Sequence, residues 1–486
     1  MDKEEIPDLL NYIAGEFNTP LSGRWLNDIS PATGMQIARI PCSGKQDVDA
    51  AVSAARSALP EWAALSHDQR ADWLDKIANA LEERSEEIAQ LESLDTGKPI
   101  TLARTVDAAR SVANFRFFAE YVREFVPETF EMDDATNHVF YKPVGVAGLI
   151  TPWNLPLYLL SWKVAPALVM GNTVVAKPSE LTPMTASLLA EIIDDTGLPS
   201  GVFNLVHGTG DDVGAPLTSH SDVDLISFTG GTQTGAKVAA SASSSFKKLS
   251  LELGGKNATI VFADSDLDKT VKGVVRAGFL NQGQICLCGS RILIEESIYD
   301  EFVSRLIDET NSMKIGDPSD PETDLGALVS AEHLAKVCSY ISLAKEEGGT
   351  ILTGGSEPEG IPKQFDEGNW LSPTIIDGLS PNSKCASEEI FGPVVTLHAF
   401  ENEKEALEIA NSTDYGLAGS VWTSDLDKGR RIAEGIDTGM VWINTWLHRD
   451  LRAPFGGIKH SGVGREGGRW SLSFYSHAVN ICLKHD

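Results

Sequence analysis

Apolar residues recur at helical spacing in two segments near the start of the chain. Trp73, Ile77, Leu81, Ile88 and Leu91 return every three, four or seven positions across 72–92, which predicts one long helix with a buried face. Leu102, Val106, Ala109, Ala113 and Phe117 repeat the pattern in a second helix. The tetrapeptide Thr96-Gly-Lys-Pro separates the two as a stop signal.

From about residue 144 the pattern changes. Short apolar runs at 144–150, 173–176, 202–206, 225–228 and 259–262 read as buried strands. The stretches 157–170, 183–196, 210–219 and 234–242 read as helices between them. Such alternation predicts a parallel sheet covered on both faces, with ligands bound beyond the carboxyl ends of its strands. A second alternating block runs from about 270 to 446, with strands at 291–294, 394–399 and 441–444. After it comes a strand-like run, 478–483, which either pairs with another chain or forms an edge of its own sheet. No internal repeat or low-complexity tract is present.

Length agrees with this division, since 486 residues exceed one ordinary domain. With 42% hydrophobic and 22% charged residues, long disorder is excluded. The 40 Lys and Arg against 69 Asp and Glu leave a formal charge of −29, which makes nucleic acid and anionic membrane poor partners. An anionic substrate would need local positive residues to overcome that field. Six scattered cysteines form no disulfide framework, and no Cys-x-x-Cys or His-x-x-His pair suggests a metal. The start, MDKEEIPDLL, lacks an apolar signal core, and the most apolar stretch, 155–170, is too short to span a bilayer. A cytoplasmic enzyme is the expectation.

Two glycine-rich segments compete as a nucleotide site. Gly462-Val-Gly-Arg-Glu-Gly467 matches G-x-G-x-x-G, but no strand precedes it and too little chain follows for a βαβ unit. Phe228-Thr-Gly-Gly-Thr-Gln-Thr-Gly235 follows a strand and opens a helix, so its backbone N–H groups suit a pyrophosphate. In Val175-Ala-Lys177-Pro-Ser-Glu180, at another strand end, a Lys and an acid can bond the two hydroxyls of a ribose, and the acid would repel a 2′-phosphate. The alternative is a surface turn with incidental charges.

Three further positions carry candidate chemistry. Asn281-Gln-Gly-Gln-Ile-Cys286-Leu-Cys288 puts a thiol beside glycine and glutamines, a turn near a site rather than a packed core. Leu249-Ser-Leu-Glu252-Leu-Gly-Gly-Lys256 sets a lone carboxylate in an apolar run; it is either a general base with a raised pKa or a partner of Lys256 or Lys247. Ile150-Thr-Pro-Trp-Asn154-Leu-Pro holds an amide between prolines, where it either faces an oxyanion or caps the next helix.

Together these segments resemble the aldehyde dehydrogenase superfamily, from Pro31-Ala-Thr-Gly34 to Gly464-Arg465-Glu466. Glu388-Glu389-Ile-Phe391-Gly-Pro and Pro454-Phe-Gly-Gly-x-Lys-x-Ser-Gly complete seven elements in the family's order. The resemblance implies a Rossmann-like parallel-sheet cofactor domain (1–118 and 139–251), a second α/β catalytic domain (252–460) and a small β oligomerisation extension (119–138 and 468–486). It implies Cys286 as nucleophile, forming a thioester, with Glu252 as general base and Asn154 as oxyanion donor. It implies NAD, held by Trp153, Lys177, Glu180, Gly230, Gly231, Thr232, Glu389 and Phe391, and a homodimer or homotetramer. Gly231 departs from the Ser that many relatives carry there. The chemistry leads us to expect the site to raise the thiolate fraction of Cys286, since a free thiol has a pKa of about 8.5.

Asn444-Thr-Trp-Leu-His-Arg449, Ala103-Arg104 through Arg110, Trp153-Asn-Leu-Pro-Leu-Tyr-Leu-Leu and Ile285-Cys-Leu-Cys288 are similar to the subfamily acting on 2-aminomuconic and 2-hydroxymuconic semialdehydes. That similarity implies that Arg110 and Arg449 clamp a carboxylate on the substrate, with Leu155, Tyr158 and Trp162 lining the tunnel. Alternatively Arg110 pairs with Asp107 and Arg449 with Asp450, and Arg104 and Arg452 are substitutes. Rival functions are a general or betaine-type aldehyde dehydrogenase, cofactor-free ester or thioester hydrolysis, and a non-catalytic structural protein on the same fold.

Overall fold

A computed structural model describes residues 6–485. Residues 1–5 of the acidic start, and residue 486 of the terminal segment, lie outside the described residues.

The helix expected over 72–92 is two helices, His67–Glu83 and Ser85–Thr96, broken at Arg84. Apolar spacing hides the break because Leu74, Ile77, Leu81 and Ile88 all enter one core. The first helix starts earlier than its apolar residues show, at a capping box in which Ser66 and Gln69 bond each other's backbone. Gly97, in left-handed backbone (φ 74°), closes the second helix. After it the chain forms Ile100–Leu102, a wide π turn Ala103–Ala108 and Ala109–Arg123 as one continuous helical rod.

The first sheet has eight strands. Five are parallel, in the order Phe203–Leu205, Thr173–Lys177, Val146–Ile150, Leu225–Thr229 and Lys248–Glu252. An antiparallel hairpin, Asn11–Ile13 with Glu16–Asn18, extends one edge, and Gly462–Val463 adds antiparallel to the other. The strand order reverses beside Val146–Ile150, so a ligand crevice lies outside the carboxyl ends of these strands. The run beginning Gly462 is thus a short edge strand, and it precedes no crossover helix.

The second sheet has seven strands, in the order Thr350–Thr353, Thr374–Asp377, Val394–Phe400, Arg291–Glu295, Ala258–Val261, Ala418–Trp422 and Met440–Ile443. All pair parallel except Thr350–Thr353. The run at 259–262, read with the first block, belongs to this sheet instead. Its apolar pattern is the same in either, and only the Gly254-Gly255 turn between Glu252 and Ala258 marks the crossing.

A third sheet joins Thr129–Glu131, Ala135–Pro143 and Ser476–Lys484, all antiparallel. The terminal strand is an edge of a sheet in its own chain, and its face is largely exposed, with Phe140, Ile481 and Leu483 open. The expected division at 138/139 falls inside Ala135–Pro143, which belongs to this sheet as one piece. The expected 251/252 division falls inside Lys248–Glu252. Among the described residues no helix is long and apolar enough to cross a membrane.

Candidate active site

Three strand ends of the first sheet deliver the first wall of a cavity. Val146–Ile150 leads into Trp153 and Asn154, Leu225–Thr229 into Gly230 and Gly231, and Lys248–Glu252 ends on Glu252 itself. The facing wall comes from segments flanking the second sheet: Cys286 before Arg291–Glu295, Glu389 and Phe391 before Val394–Phe400, and Arg449 and Phe455 after Met440–Ile443. The enclosed volume is about 270 Å³.

Cys286 sits on an unusual turn. Asn281 (φ 55°), Gln282 (φ 57°) and Gly283 (φ 68°) all lie in the left-handed region, which costs non-glycine residues roughly 1–2 kcal/mol each. Their side chains hold the turn: Asn281 Nδ2 donates to the Asn154 carbonyl at 3.2 Å, and Gln282 Nε2 to the Ala327 carbonyl at 3.0 Å. A Cβ at Gly283 would collide with the Gly392 carbonyl. Asn257 Nδ2 donates to the carbonyls of Cys286 (2.7 Å) and Cys288 (2.9 Å). The cysteine backbone is therefore fixed from both sides.

Asn154 is buried, and its Nδ2 donates to the Gln284 carbonyl at 2.8 Å. An amide nitrogen carries two protons, so one is left to face the cavity. Glu252 is buried, with neither carboxylate oxygen bonded to a protein group. The alternative partners are engaged elsewhere, Lys256 on the Cys385 carbonyl and Lys247 on the carbonyls of His220 and Val223. Burial, then the nearby Glu466, pushes the Glu252 carboxyl well above the usual range. Glu466 accepts from Lys163 at 2.7 Å.

The thiol departs from expectation. Burial, then the charges of Glu389 and Glu252, push Cys286 up rather than down; Arg449 opposes them. Burial and two nearby carboxylates hold the proton on the sulfur, so the site favours the thiol over the thiolate.

At the other end, Arg449 Nη1 donates to the Tyr158 hydroxyl at 2.8 Å, and its Nη2 is buried without a protein partner. The guanidinium carbon lies 4.0 Å from the Phe455 ring centroid and 5.3 Å from that of Trp162. Arg449 and Phe455 also line an outer bowl of about 850 Å³, which puts Arg449 where the inner cavity meets the outside. The expected competitor Asp450 pairs with Arg452, Asp107 pairs with Lys98, and Arg104 pairs with Glu86. So Arg104 and Arg452 have carboxylate partners, while Arg449 and Arg110 have none among the described residues.

Five expected positions lie off the cavity wall: Arg110, Trp162, Thr232, Lys177 and Glu180. Arg110 stands 5.7 Å from the Tyr158 ring centroid but does not reach the cavity. Trp162 is fully buried behind Arg449 and packs on Phe118, a platform rather than a lining residue; its helix, Pro156–Val169, is buried almost all round, so spacing cannot choose its face. Thr232 opens the helix Thr232–Ser243 just beyond Gly231. Leu155 and Tyr158 do line the wall.

Of the remaining expected cofactor residues, Trp153, Glu389 and Phe391 line the cavity, while Lys177 and Glu180 stand apart from it. Glu389 accepts the Gly255 N–H at 2.8 Å and occupies the space a Cβ on Gly254 would need. Trp153 and Phe391 meet edge to face at 5.3 Å. Lys177 and Glu180 bond each other at 3.0 Å at the adjacent strand end. Nothing lies near the place of a Gly231 Cβ, and its φ of −70° is ordinary, so this glycine is not a steric requirement.

Sequence reading passed over His333, which packs on Trp153 and bonds the Phe391 carbonyl at 2.6 Å. It carries no local motif and reaches the site only through the fold. Leu102 and Val106 line the cavity as well; their helical spacing was visible but marks a core face equally well.

The sequence model of the Aldehyde dehydrogenase family matches residues 18–481. A 2-hydroxymuconic semialdehyde dehydrogenase of Pseudomonas sp. (strain CF600) is 47% identical over 484 residues, covering 98% of this chain and 99% of the relative. A 2-aminomuconic semialdehyde dehydrogenase of Danio rerio is 48% identical over 480 residues, covering 98% of each. Among solved structures, PnpE from Pseudomonas sp. WBC-3 superimposes with a TM-score of 0.96 at 41% identity, covering 99% of this chain and 98% of that one. With strand ends, cysteine turn and cavity placed as described, the chain belongs to the aldehyde dehydrogenase family.

Proposed function

We propose that this protein uses NAD to oxidise an aldehyde to a carboxylate through a thioester on Cys286, and that its aldehyde carries a carboxylate at the far end. 2-Hydroxymuconic and 2-aminomuconic semialdehyde have that chemistry. The observation that carries the substrate reading is Arg449: a guanidinium at the mouth of the cysteine's cavity, its Nη2 buried with no protein acceptor. A desolvated cation with a free planar donor edge is suited to a carboxylate. It is unsuited to the quaternary ammonium of betaine aldehyde, which would want aromatic faces or acids.

The residues present fit a dinucleotide. Gly230 and Gly231 open a helix N-terminus towards the cavity, suited to a pyrophosphate. Glu389 projects into space left by Gly254, and the Lys177–Glu180 pair offers a donor and an acceptor to ribose hydroxyls. The Glu180 carboxylate disfavours a 2′-phosphate, which selects NAD over NADP. In this reading 1–118 and 139–251 hold the cofactor, 252–460 carry the nucleophile, and 119–138 with 468–486 join subunits into a homodimer or homotetramer. The exposed apolar side chains Phe140, Ile481 and Leu483 support that last role.

The cysteine must lose a proton that its surroundings hold on it. Glu252, with both oxygens free in the same cavity, is the acceptor the site offers. The sulfur then attacks the carbonyl carbon, and the second Asn154 proton meets the oxygen as it becomes negative, a contribution of about 3–4 kcal/mol in comparable sites. Bound NAD supplies the oxidant by taking up hydride. Cys286 retains the acyl group; Glu252 passes its first proton to solvent, then takes one from the water that attacks the thioester, and the departing sulfur of Cys286 is reprotonated as the acid is released.

The test is NAD reduction, followed by absorbance, with 2-hydroxymuconic semialdehyde, betaine aldehyde and a neutral aliphatic aldehyde. A kcat/KM highest on the semialdehyde is expected. Equal values on all three would leave a general aldehyde dehydrogenase, and no NAD reduction on any would leave a hydrolase or a structural protein.

A further inference from the structure

The tetrapeptide Thr96-Gly-Lys-Pro marks the end of a helix, yet Lys98 is among the most buried side chains of the molecule, at 0% exposure. Its Nζ donates to both oxygens of Asp107 (2.9 Å each) and to the backbone carbonyl of Asn154 (3.0 Å). An ammonium has three protons, and these acceptors use all three. A buried ion pair needs only its two members; here one bond is spent on the carbonyl of the residue whose amide faces the cavity. The neighbouring residue completes the arrangement. The Gly97 carbonyl accepts from the Ala327 N–H (3.2 Å) and from Gln282 Nε2 (3.3 Å), on the left-handed turn that carries Cys286. Asn281, on that turn, donates to the same Asn154 carbonyl. Residues 97 and 98 therefore tie the asparagine and the cysteine turn to one buried anchor.

The Asn154 side chain cannot be aimed by its own neighbours in sequence, since Pro152 and Pro156 restrict the chain but donate no hydrogen bond. Its backbone is held by Lys98 and its amide by Gln284. We propose that Lys98, fixed by Asp107, is a positioning residue of the oxyanion site: it holds the Asn154 backbone so that the free amide proton points at the substrate oxygen. This rests on Asn154 being the oxyanion donor.

The experiment is a double-mutant cycle on NAD reduction with a saturating aldehyde. Lys98→Met is compared with wild type, and Lys98→Met/Asn154→Ala with Asn154→Ala. Lys98→Met leaves Asp107 and Glu92, 3.8 Å from Lys98 Nζ, buried without their cation, so Lys98→Met/Asp107→Leu, which removes the hydrogen-bonded pair and leaves Glu92 as the one acid beside it, is run in the same two backgrounds and decides the matter if the single variant does not fold. In the Asn154 background, Lys98→Met should lower kcat roughly tenfold to a hundredfold, with KM and NAD affinity changed less than about twofold. On Asn154→Ala it should cost almost nothing more. An equal loss in both backgrounds means Lys98 only supports the fold, and overturns the proposal. A loss in Asn154→Ala with none in Lys98→Met overturns it alone. A loss in Lys98→Met with none in Asn154→Ala overturns the oxyanion reading and the proposal together.

Discussion

The two ends of the inner cavity are built by different means. At the Cys286 end, backbone sets the geometry: three successive left-handed residues, Gly283 against the Gly392 carbonyl, and Asn257 bonded to the carbonyls of Cys286 and Cys288. At the Arg449 end a side chain sets it, resting on Phe455 and Trp162 and held by one hydroxyl. The contrast separates two demands. Attack on a carbonyl tolerates little displacement of the nucleophile, so rigidity is built in at a cost in backbone strain. Choosing among aldehydes needs a difference in affinity, which on the proposed function one charge without a counterion would supply. In a chain of net charge −29, Arg449 has no carboxylate partner among the described residues.

The strongest way to break this comparison is at the rigid end. Glu252→Gln should lower kcat by about 10²–10⁴ on every aldehyde alike, and because Glu252 also takes the Cys286 proton, the first NADH formed per site should be slowed with it. Stopped-flow absorbance reads both. A loss confined to the semialdehyde would show that Glu252 serves selection. In wild type, because the Glu252 carboxyl titrates well above the ordinary range, activity should fall as pH is lowered through that raised pKa.

Next in size is the selective end. Arg449→Ala should reduce kcat/KM for the semialdehyde by about thirtyfold, on the order of 2 kcal/mol, chiefly through KM. A neutral aldehyde should be nearly unaffected. Steady-state kinetics on both substrates decide it, and an equal loss on each would make Arg449 part of the scaffold.

The smallest effect concerns acids behind the rigid end. Asp28 and Asp95 are buried together, and burial pushes both carboxyls up. The folded state then keeps protons that the unfolded chain releases above its ordinary aspartate pKa of about 3.9, so wild-type stability falls as pH rises from there through the raised values. Asp28→Asn removes part of that slope. Its melting temperature relative to wild type should rise by on the order of 2 °C between pH 5 and pH 8. A gap independent of pH in thermal melts would refute the assignment.

Much of this was legible in the sequence, for reasons that differ by residue. Thr173–Lys177 and Leu225–Thr229 are apolar runs between helices, and period alone finds them. Glu252 stood out because a carboxylate in an apolar run has few explanations. The break at Arg84 escaped because a helix can end while its apolar stripe continues into the next. Trp162 was placed on the cavity wall because a helix buried almost all round has no face to read, and the residue that lies over its ring, Arg449, comes from the far end of the chain. The partners of Arg449 and Arg110 could not be assigned from neighbours in sequence: Asp107, three residues before Arg110, bonds Lys98 instead.

The π turn Ala103–Ala108 has a consequence of its own for how such a pocket can change. It sits between Lys98, which binds Asp107 within the turn, and Arg110, whose guanidinium lies over Tyr158. Each residue added to or removed from a helical rod swings everything after it by about 100°. Adjusting the length of this turn after Asp107 would swing the whole of Ala109–Arg123, carrying Arg110 and Asn114 off Tyr158 and the buried Phe115 and Phe118 out of the core. Segment length is therefore as fixed here as residue identity: the wide turn lets Asp107 keep Lys98 while the helix after it keeps its apolar face on the core.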